Sequence, residues 1–336
     1  MAREPVLSFT ERGLYCPAGD FYIDPWRPVD RALITHGHSD HARSGHRAYL
    51  ATHAALPVMR HRLGQISAEG LTFGETRQIG GALVSFHPAG HVPGSAQIRV
   101  EVGGEVWVVS GDYKLEEDGL SEPFTPVRCD TFITECTFGL PAFRWQPQAV
   151  VARQIADWWA ANRAAGRISV LGAYGLGKAQ RLMAALAAQG LPGPIATHGA
   201  IEVTTEILRN QGYALPPTQP VSLQKPDASC LVIAPPSALG SAWARKLGPV
   251  SEAFASGWMA LRGVRRRRGP GTGFIVSDHA DWPGLNRAIA ETGASRIFAT
   301  HGYTTAFQKW LAHQGYDAGI VSTEWQGETQ DPETPT

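Results

Sequence analysis

Short apolar segments, each followed closely by a histidine or an acid, recur along the chain. Their length and their β-branched residues predict buried strands. The segments, each with the polar residue that follows it, are 31–35 with His36, 83–86 with His91, 106–110 with Asp112, 131–134 with Glu135, 273–277 with His279 and 296–300 with His301. Because open α/β sheets place their sites at the carboxyl ends of the strands, we expect one sheet that gathers these groups along one edge.

In the middle of the chain the pattern changes to an alternation of helices and strands. The predicted elements are helices at 147–165, 178–189 and around 201–210, and strands at 168–174 and 230–234. This alternation is typical of a parallel α/β unit. Candidate ligands lie on both sides of it. The predicted organisation is therefore a catalytic domain in two parts, 1–143 and 271–325, an inserted domain at 144–270, and a polar, disordered tail at 326–336.

The densest group of polar residues is the loop Thr35-His36-Gly37-His38-Ser39-Asp40-His41. Imidazole and carboxylate groups suit zinc and neighbouring metals. His36 and His38 can converge on one ion, while Asp40 and His41 hold a second. The alternative is a polar surface loop with hydrogen-bonded histidines, which is the weaker interpretation because three histidines and an acid in six positions are rare by chance.

Four ligands from one loop leave both ions incomplete, so further ligands must come from elsewhere. His91 lies in a Gly/Pro-rich loop after a strand and is the candidate third ligand of the first ion, with His87 a weaker candidate. Asp112 can bridge two ions with its two oxygens. Asp24 is either a turn carboxylate or a support for the histidine loop, since ligating imidazoles usually donate their other N–H to a carboxylate or carbonyl.

Residues 46–66 have a weak helical pattern and contain three more histidines, His46, His53 and His61. No partner residue shares their spacing, so a surface or structural role is the better interpretation. We predict a helix here and no ligand.

The composition is that of a globular chain. Apolar residues make up 43% of the 336 residues and charged residues 18%, and thirty basic side chains balance thirty acidic ones. That neutrality argues against a protein coated in positive charge, although a local basic groove remains compatible with it. Four scattered cysteines favour neither a disulfide framework nor a thiolate zinc site. The sequence has no signal-peptide pattern and no membrane-span pattern, which predicts a cytoplasmic protein without a membrane partner.

Two motifs suggest contacts with phosphate without establishing them. The segment from Gly172 to Lys178 resembles an ATP-binding P-loop, but Ala179 stands where a hydroxyl would hold magnesium. Its helix start can still meet a phosphate of a polymeric substrate. The basic run 265–268, including Arg265 and Arg266, is either a solvated loop or a neutraliser of a phosphodiester backbone.

The order of these motifs resembles the β-CASP branch of the metallo-β-lactamase superfamily, whose members are nucleases, along nearly the whole chain. The resemblance implies an αββα sandwich with an inserted α/β β-CASP cap. It also implies one metal held by His36, His38 and His91. It implies a second metal held by Asp40, His41 and His301, with Asp112 as a bridge between the two. Zinc is the expected metal, with manganese as the alternative. Asp24, Glu135 and His279 fall at further motif positions of the branch.

The compact length is most similar to that of bacterial DNA-ligase-associated exonucleases. This implies an exonuclease that acts on DNA in repair, with a ligase or helicase system as partner. Histidine at position 301 instead favours RNA, because many DNA-directed members of the branch have an aliphatic residue there. A small-molecule metallohydrolase and a non-catalytic scaffold are the remaining alternatives. The size of the insert argues against the first, and the complete ligand set against the second.

The expected reaction is hydrolysis of a phosphodiester by a water that two metal ions activate. His279 has no place in the ligand count and suits a general acid, because an imidazole titrates near neutral pH. Glu135 would orient and charge it, and Asp40 and Asp112 would complete the catalytic group. Ser95 and Lys178, together with Arg265 and Arg266, are the predicted phosphate contacts.

Overall fold

The computed structural model describes residues 5–263 and 272–321 of this α/β chain. These residues form two compact units. Unit 1 contains residues 5–117, 121–143 and 279–321, and unit 2 contains residues 118–120, 144–263 and 272–278. The basic run 265–268 and the predicted tail at 326–336 lie outside the described residues.

The strands of unit 1 are β1 (Ser8–Thr10), β2 (Gly13–Cys16), β3 (Phe21–Ile23), β4 (Arg31–Leu33), β5 (Ala48–Thr52), β6 (Ala68–Leu71), β7 (Thr76–Ile79), β8 (Ala82–Pro88), β9 (Ala96–Val102), β10 (Glu105–Val109), β11 (Thr131–Cys136), β18 (Arg296–Gly302) and β19 (Asp317–Ile320). Its helices are α1 (Leu56–Leu63), α6 (Trp282–Thr292) and α7 (Thr304–His313). The strands of unit 2 are β12 (Ile168–Gly172), β13 (Ile195–Thr197), β14 (Thr218–Pro220), β15 (Leu231–Ala234), β16 (Val250–Ala255) and β17 (Thr272–Phe274). Its α-helices are α2 (Gln148–Ala164), α3 (Lys178–Gln189), α4 (Gly199–Asn210) and α5 (Ala242–Leu247).

Two mixed sheets form the centre of unit 1. The first has the order β1-β2-β3-β4-β5-β6, and its strands are parallel from β3 onwards. The second has the order β19-β18-β11-β10-β9-β8-β7 and is parallel from β10 to β19. Parallel strands place their carboxyl ends at the same edge, which is where the candidate ligands follow β4, β10 and β11.

Apolar side chains of both sheets share one core in unit 1. Phe21 and Leu33 of the first sheet belong to the same buried cluster as Phe86 and Ile133 of the second. The sheets therefore pack face to face, as two sheets with one apolar face each must do to exclude water from both. On the outer face of the first sheet Met59 of α1 packs in a separate cluster. The outer face of the second sheet contacts α6 and α7, whose buried residues include Leu285 and Phe307.

Unit 2 is built on one parallel sheet with the order β14-β13-β15-β12-β16-β17. Helices α2, α3 and α4 contribute buried residues to the cluster on one face, and α5 contributes to the other. A parallel sheet buried on both faces needs nearly continuous apolar strands, which β15 shows in Leu231-Val-Ile-Ala234.

The structure confirms several predicted elements and corrects two. Helices α2 and α3 lie where the helical spacing places them. The helix expected at 46–66 is wrong in its first half, where β5 pairs in parallel with β4 and β6, because partner strands override a weak local propensity. The prediction that one sheet gathers all the candidate ligands is also wrong. The strands that precede the candidate ligands belong to three sheets, and β17 belongs to unit 2.

Among the described residues, we find no helix with the length and apolar character needed to cross a membrane.

Candidate metal centre

The loop after β4 is held from behind by Asp24. One carboxylate oxygen of Asp24 accepts from the backbone N–H of Thr35 at 2.8 Å, and the other lies 2.8 Å from Nδ1 of His41. Asp24 adopts a left-handed conformation, with φ of 43°, at the end of β3. A carboxylate that accepts from Nδ1 fixes the imidazole tautomer, so Nε2 of His41 is available as the ligand atom. Asp24 therefore positions the histidine loop and is not merely a turn carboxylate.

The first group of candidate ligands contains His36, His38, His91 and Asp112. Nδ1 of His38 lies 3.1 Å from Nε2 of His36 and 3.0 Å from Nε2 of His91. Oδ2 of Asp112 lies 3.6 Å and 3.7 Å from the same two Nε2 atoms. Side chains from three separate segments thus point one donor atom each toward a common centre.

The second group contains His41, Asp112 and His301. Nε2 of His41 lies 3.4 Å from Oδ2 of Asp112, and the rings of His41 and His301 have centroids 5.4 Å apart. Asp40 is not in this group, although its Oδ2 lies 3.7 Å from Nε2 of His41. Asp112 belongs to both groups, which is the position that a bridging carboxylate requires.

The His91 loop is shaped by buried hydrogen bonds. The hydroxyl of Ser95 accepts from the backbone N–H groups of His91 and Val92, at 3.1 and 3.2 Å. Gly94, at the turn of this loop, donates its N–H to Glu122 and accepts from the hydroxyl of Thr52. This loop therefore depends on Ser95 for its conformation.

Glu135 and His279 form a buried pair beside Asp112, and these three residues make up a third group. Nδ1 of His279 lies 2.9 and 3.0 Å from the two carboxylate oxygens of Glu135. Those oxygens also accept from the backbone N–H groups of Tyr113 and Thr137. Glu135 is fully buried and His279 is 4% exposed. The pair is thus held rigidly, with Nε2 of His279 on the side of the ring opposite Glu135.

Burial and neighbouring charges shift the pKa values of these histidines in different directions. Burial, followed by the neighbouring His41, His91 and His38, lowers the pKa of His36 well below its usual value, so its imidazole is neutral. Burial would also lower the pKa of His41, but the carboxylates of Asp112, Asp40 and Asp24 outweigh it and raise that pKa. Burial and His41 lower the pKa of His301. Although burial opposes it, His41 keeps the pKa of Asp112 low, so this carboxylate is ionised.

The donor set fits divalent metal ions. The two groups together offer five imidazoles and the shared Asp112 carboxylate, which are ligands that zinc and its neighbours accept. Neighbouring nitrogens in a tetrahedral zinc site are about 3.3 Å apart, given Zn–N bonds of about 2.0–2.1 Å, and the observed separations of 3.0–3.1 Å are close to this. Nε2 of His41 is buried and has no hydrogen-bond partner, although a buried polar atom normally has one. A metal ion would supply the missing partner.

The remaining predicted site residues lie outside the three groups of candidate ligands. Lys178 is 1% exposed, and its ammonium lies 3.6 Å from the Asp278 carboxylate within unit 2. Phosphate contacts by Ser95 and Lys178 stay predictions, and Arg265 and Arg266 lie outside the described residues. His87 lies within β8, where its Nε2 is 2.9 Å from the hydroxyl of Ser85.

The sequence patterns give no role to two residues of the site, Thr35 and Cys136. The hydroxyl of Thr35 contacts Asp24, and the thiol of Cys136 donates to the carbonyl oxygen of His301. Each of these residues is adjacent in sequence to a predicted site residue, His36 or Glu135, which is the only signal that could have pointed to them.

Comparisons with known proteins agree with this geometry. No family model matches the sequence. The chain is 32% identical over 317 residues to a protein of Opitutus terrae named "Probable DNA ligase", covering 94% of this chain and 31% of the relative. It is 33% identical over 149 residues to a ribonuclease of Thermus thermophilus, covering 35% of this chain and 34% of that enzyme. The chain thus spans about a third of the length of these relatives.

The fold is similar to a solved structure of an Enterococcus faecalis protein of unknown function. The TM-score is 0.58 at 12% identity, with 89% of this chain and 80% of the other covered. This similarity concerns the fold alone. The relatives in sequence, together with the three groups of buried ligands, identify the family: the chain belongs to the β-CASP branch of the metallo-β-lactamase superfamily.

Proposed function

We propose that the chain is a metal-dependent nuclease that hydrolyses phosphodiester bonds. The observation that carries this proposal is the convergence of two ligand groups on Asp112, with the buried Glu135–His279 pair directly beside them. A two-metal site next to a proton donor suits phosphodiester hydrolysis, because the metals can activate a water and the donor can protonate the leaving oxygen. The relative named as a ribonuclease supports the same chemistry.

We further propose that unit 1 is the αββα metallo-β-lactamase domain and that unit 2 is the β-CASP cap inserted into it. The face-to-face sheets with helices on both outer faces support the first assignment. The parallel sheet, formed from residues that lie between the two parts of unit 1, supports the second. The domain bounds predicted from the sequence, 144–270 for the cap, belong to this proposal.

His36, His38 and His91 would hold one ion, and Asp40, His41 and His301 a second, with Asp112 shared between them. Zinc is the proposed metal and manganese the alternative, since both accept imidazole and carboxylate ligands. Divalent ions bound there would lower the pKa of a water and stabilise the negative charge that develops on the phosphate. By its contact with Nδ1, Asp24 holds the His41 ring so that Nε2 would be free to bind the second ion.

His279 would give a proton to the leaving oxygen. The carboxylate of Glu135 accepts from Nδ1, stabilises positive charge on the ring and keeps Nε2 turned to the other side. Backbone N–H groups of Tyr113 and Thr137 hold that carboxylate in place, so the imidazole does not need to reorganise when it releases the proton.

DNA is the proposed substrate, and exonuclease action in repair alongside a DNA ligase is the proposed setting. The match of 94% of this chain to part of a protein named as a DNA ligase supports this choice. RNA is the second candidate, because one relative is named a ribonuclease and position 301 is histidine.

One experiment separates these alternatives. End-labelled single- and double-stranded DNA and RNA are incubated with the protein, with and without chelator and with zinc or manganese restored. We expect products from DNA that shorten from an end and that disappear with chelator. Cleavage of RNA alone would favour the second candidate. A protein that carries metal and cleaves neither polymer would overturn the nuclease assignment.

A further inference from the structure

His301 reaches the second ligand group from an irregular point in its strand. Strands β11 and β18 pair in parallel register up to Glu135 and Thr300, and the next pair is Cys136 with Gly302. His301 is therefore an extra residue that faces no partner, which defines a β-bulge. Its φ is +53°, in the left-handed region that side chains other than glycine rarely adopt.

The residue after the bulge tolerates no side chain. Gly302 also has a positive φ, of 87°. A Cβ added there would lie 2.4 Å from the carbonyl oxygen of Cys136 and 2.4 Å from Cα of Thr137. Because both of these atoms are backbone atoms, of the last residue of β11 and of the residue after it, no side-chain movement relieves the clash. The bulge thus packs directly against the backbone of Cys136 and Thr137.

Cys136 contacts the bulge with its side chain and its backbone. Its thiol donates to the carbonyl oxygens of His301 and Thr300, with Sγ–O distances of 3.0 and 3.5 Å. Its own carbonyl oxygen accepts from the N–H of Tyr303 at 3.1 Å. Cys136 is fully buried, so no solvent replaces these bonds. The thiol of Cys136 thus contacts the backbone carbonyls of both Thr300 and His301 at the bulge.

We propose that Cys136 is a positioning residue that holds the bulge in the conformation from which the His301 imidazole reaches the His41–Asp112 group. The inference rests on the proposed two-metal function and assigns Cys136 a specific part in it. A partner that orients a ligand typically contributes about 10–100-fold in metal affinity. The effect should be confined to the second ion, because His36, His38 and His91 lie on other segments.

A matched pair of variants tests this. Cys136→Thr keeps a donor and Cys136→Val removes it, while the two side chains share one branched shape that suits a strand. Metal-free protein is titrated with zinc by calorimetry, and near-UV circular dichroism checks that the fold is intact. We expect the valine variant to bind the second ion about 10–100-fold more weakly than the threonine variant, and the first ion equally. Cys16→Ala, at an equally buried cysteine of β2, should bind both ions as the wild type does.

Each outcome has a distinct meaning. If the wild type binds two ions and the threonine and valine variants bind both equally well, the role of Cys136 is refuted while the two-metal site stands. If the wild type itself binds fewer than two ions, the proposed function fails and the positioning role fails with it. Should the branched variants not fold, the smaller pair Cys136→Ser and Cys136→Ala makes the same comparison.

Discussion

At the scale of single residues, Asp112 and His279 show how burial creates separate roles from common side chains. Asp112 is 5% exposed and shares a group of candidate ligands with six histidines, the five of the two ligand groups and His279. His279 is equally buried but has a carboxylate partner of its own in Glu135. A histidine whose Nδ1 is bound by a carboxylate can either ligate a metal or carry a proton through Nε2. Because both proposed ion sites have their ligands without His279, we assign His279 the proton-transfer role.

Replacing His279 with alanine should therefore leave the bound metal unchanged and slow cleavage by about 10²–10⁴-fold, the usual contribution of general acid catalysis. The variant should recover partly on a substrate with a good leaving group, which needs no proton. Metal content by mass spectrometry and cleavage rates on the two substrates measure this. His46→Ala, a change at a buried histidine outside the three groups, serves as the control. Loss of metal from the His279 variant would assign that residue to the ligands instead.

At the scale of elements, the ligands lie on loops and strand ends whose backbone is fixed by tight contacts. Gly94 illustrates this, because its φ is +79° and a Cβ there would lie 2.6 Å from the backbone N of Ala55 and 2.7 Å from the carbonyl C of Ala54. The loop that carries His91 therefore closes onto the segment before α1. Gly104, in the turn between β9 and β10, has a similar φ of +85° but no atom within 4 Å of the added Cβ.

These two glycines make a matched comparison. Gly104→Ala introduces only the left-handed strain, about 1–2 kcal/mol, whereas Gly94→Ala adds a backbone clash and should lower the free energy of unfolding by more. Gly94→Ala should also weaken binding of the first ion, because its ligand His91 lies three residues away in the same loop. Urea unfolding and zinc titration measure the two effects. Equal destabilisation in the two variants, with unchanged zinc affinity, would show that the loop shifts without disturbing the site.

At the scale of the whole molecule, all the proposed ligands belong to unit 1, although they come from residues as distant in sequence as His36 and His301. An ion bound by such distant residues joins parts of the chain that separate on unfolding. A ligand that binds only the folded state stabilises it by mass action, by about 2.7 kcal/mol at a free concentration 100 times its Kd.

Removing the metal should therefore lower the melting temperature, and restoring zinc or manganese should raise it again. Scanning calorimetry before and after chelation, with metal content checked in both samples, measures this. Asp112→Asn should show a smaller shift, because it removes the charge shared by the two ligand groups. A metal-loaded protein that melts at the same temperature as the chelated protein would contradict a site assembled across unit 1.

The local sequence determined some of the elements and most of the candidate ligands. Helical spacing predicts α2 and α3 because periodicity is a property of neighbouring residues, and the histidine loop is visible because its residues are contiguous. The resemblance of its motifs to a known family added the assignment of His301 to the second ion.

Only the tertiary structure decided the sheet membership of the strands, the β-strand at 48–52 and the bulge at His301. Each of these depends on a partner strand that is distant in sequence, as β11 is from β18. Strand pairing and burial are long-range interactions that can override local propensity. For the same reason Cys136, which has no motif of its own, emerges as part of the site only when β11 and β18 lie side by side.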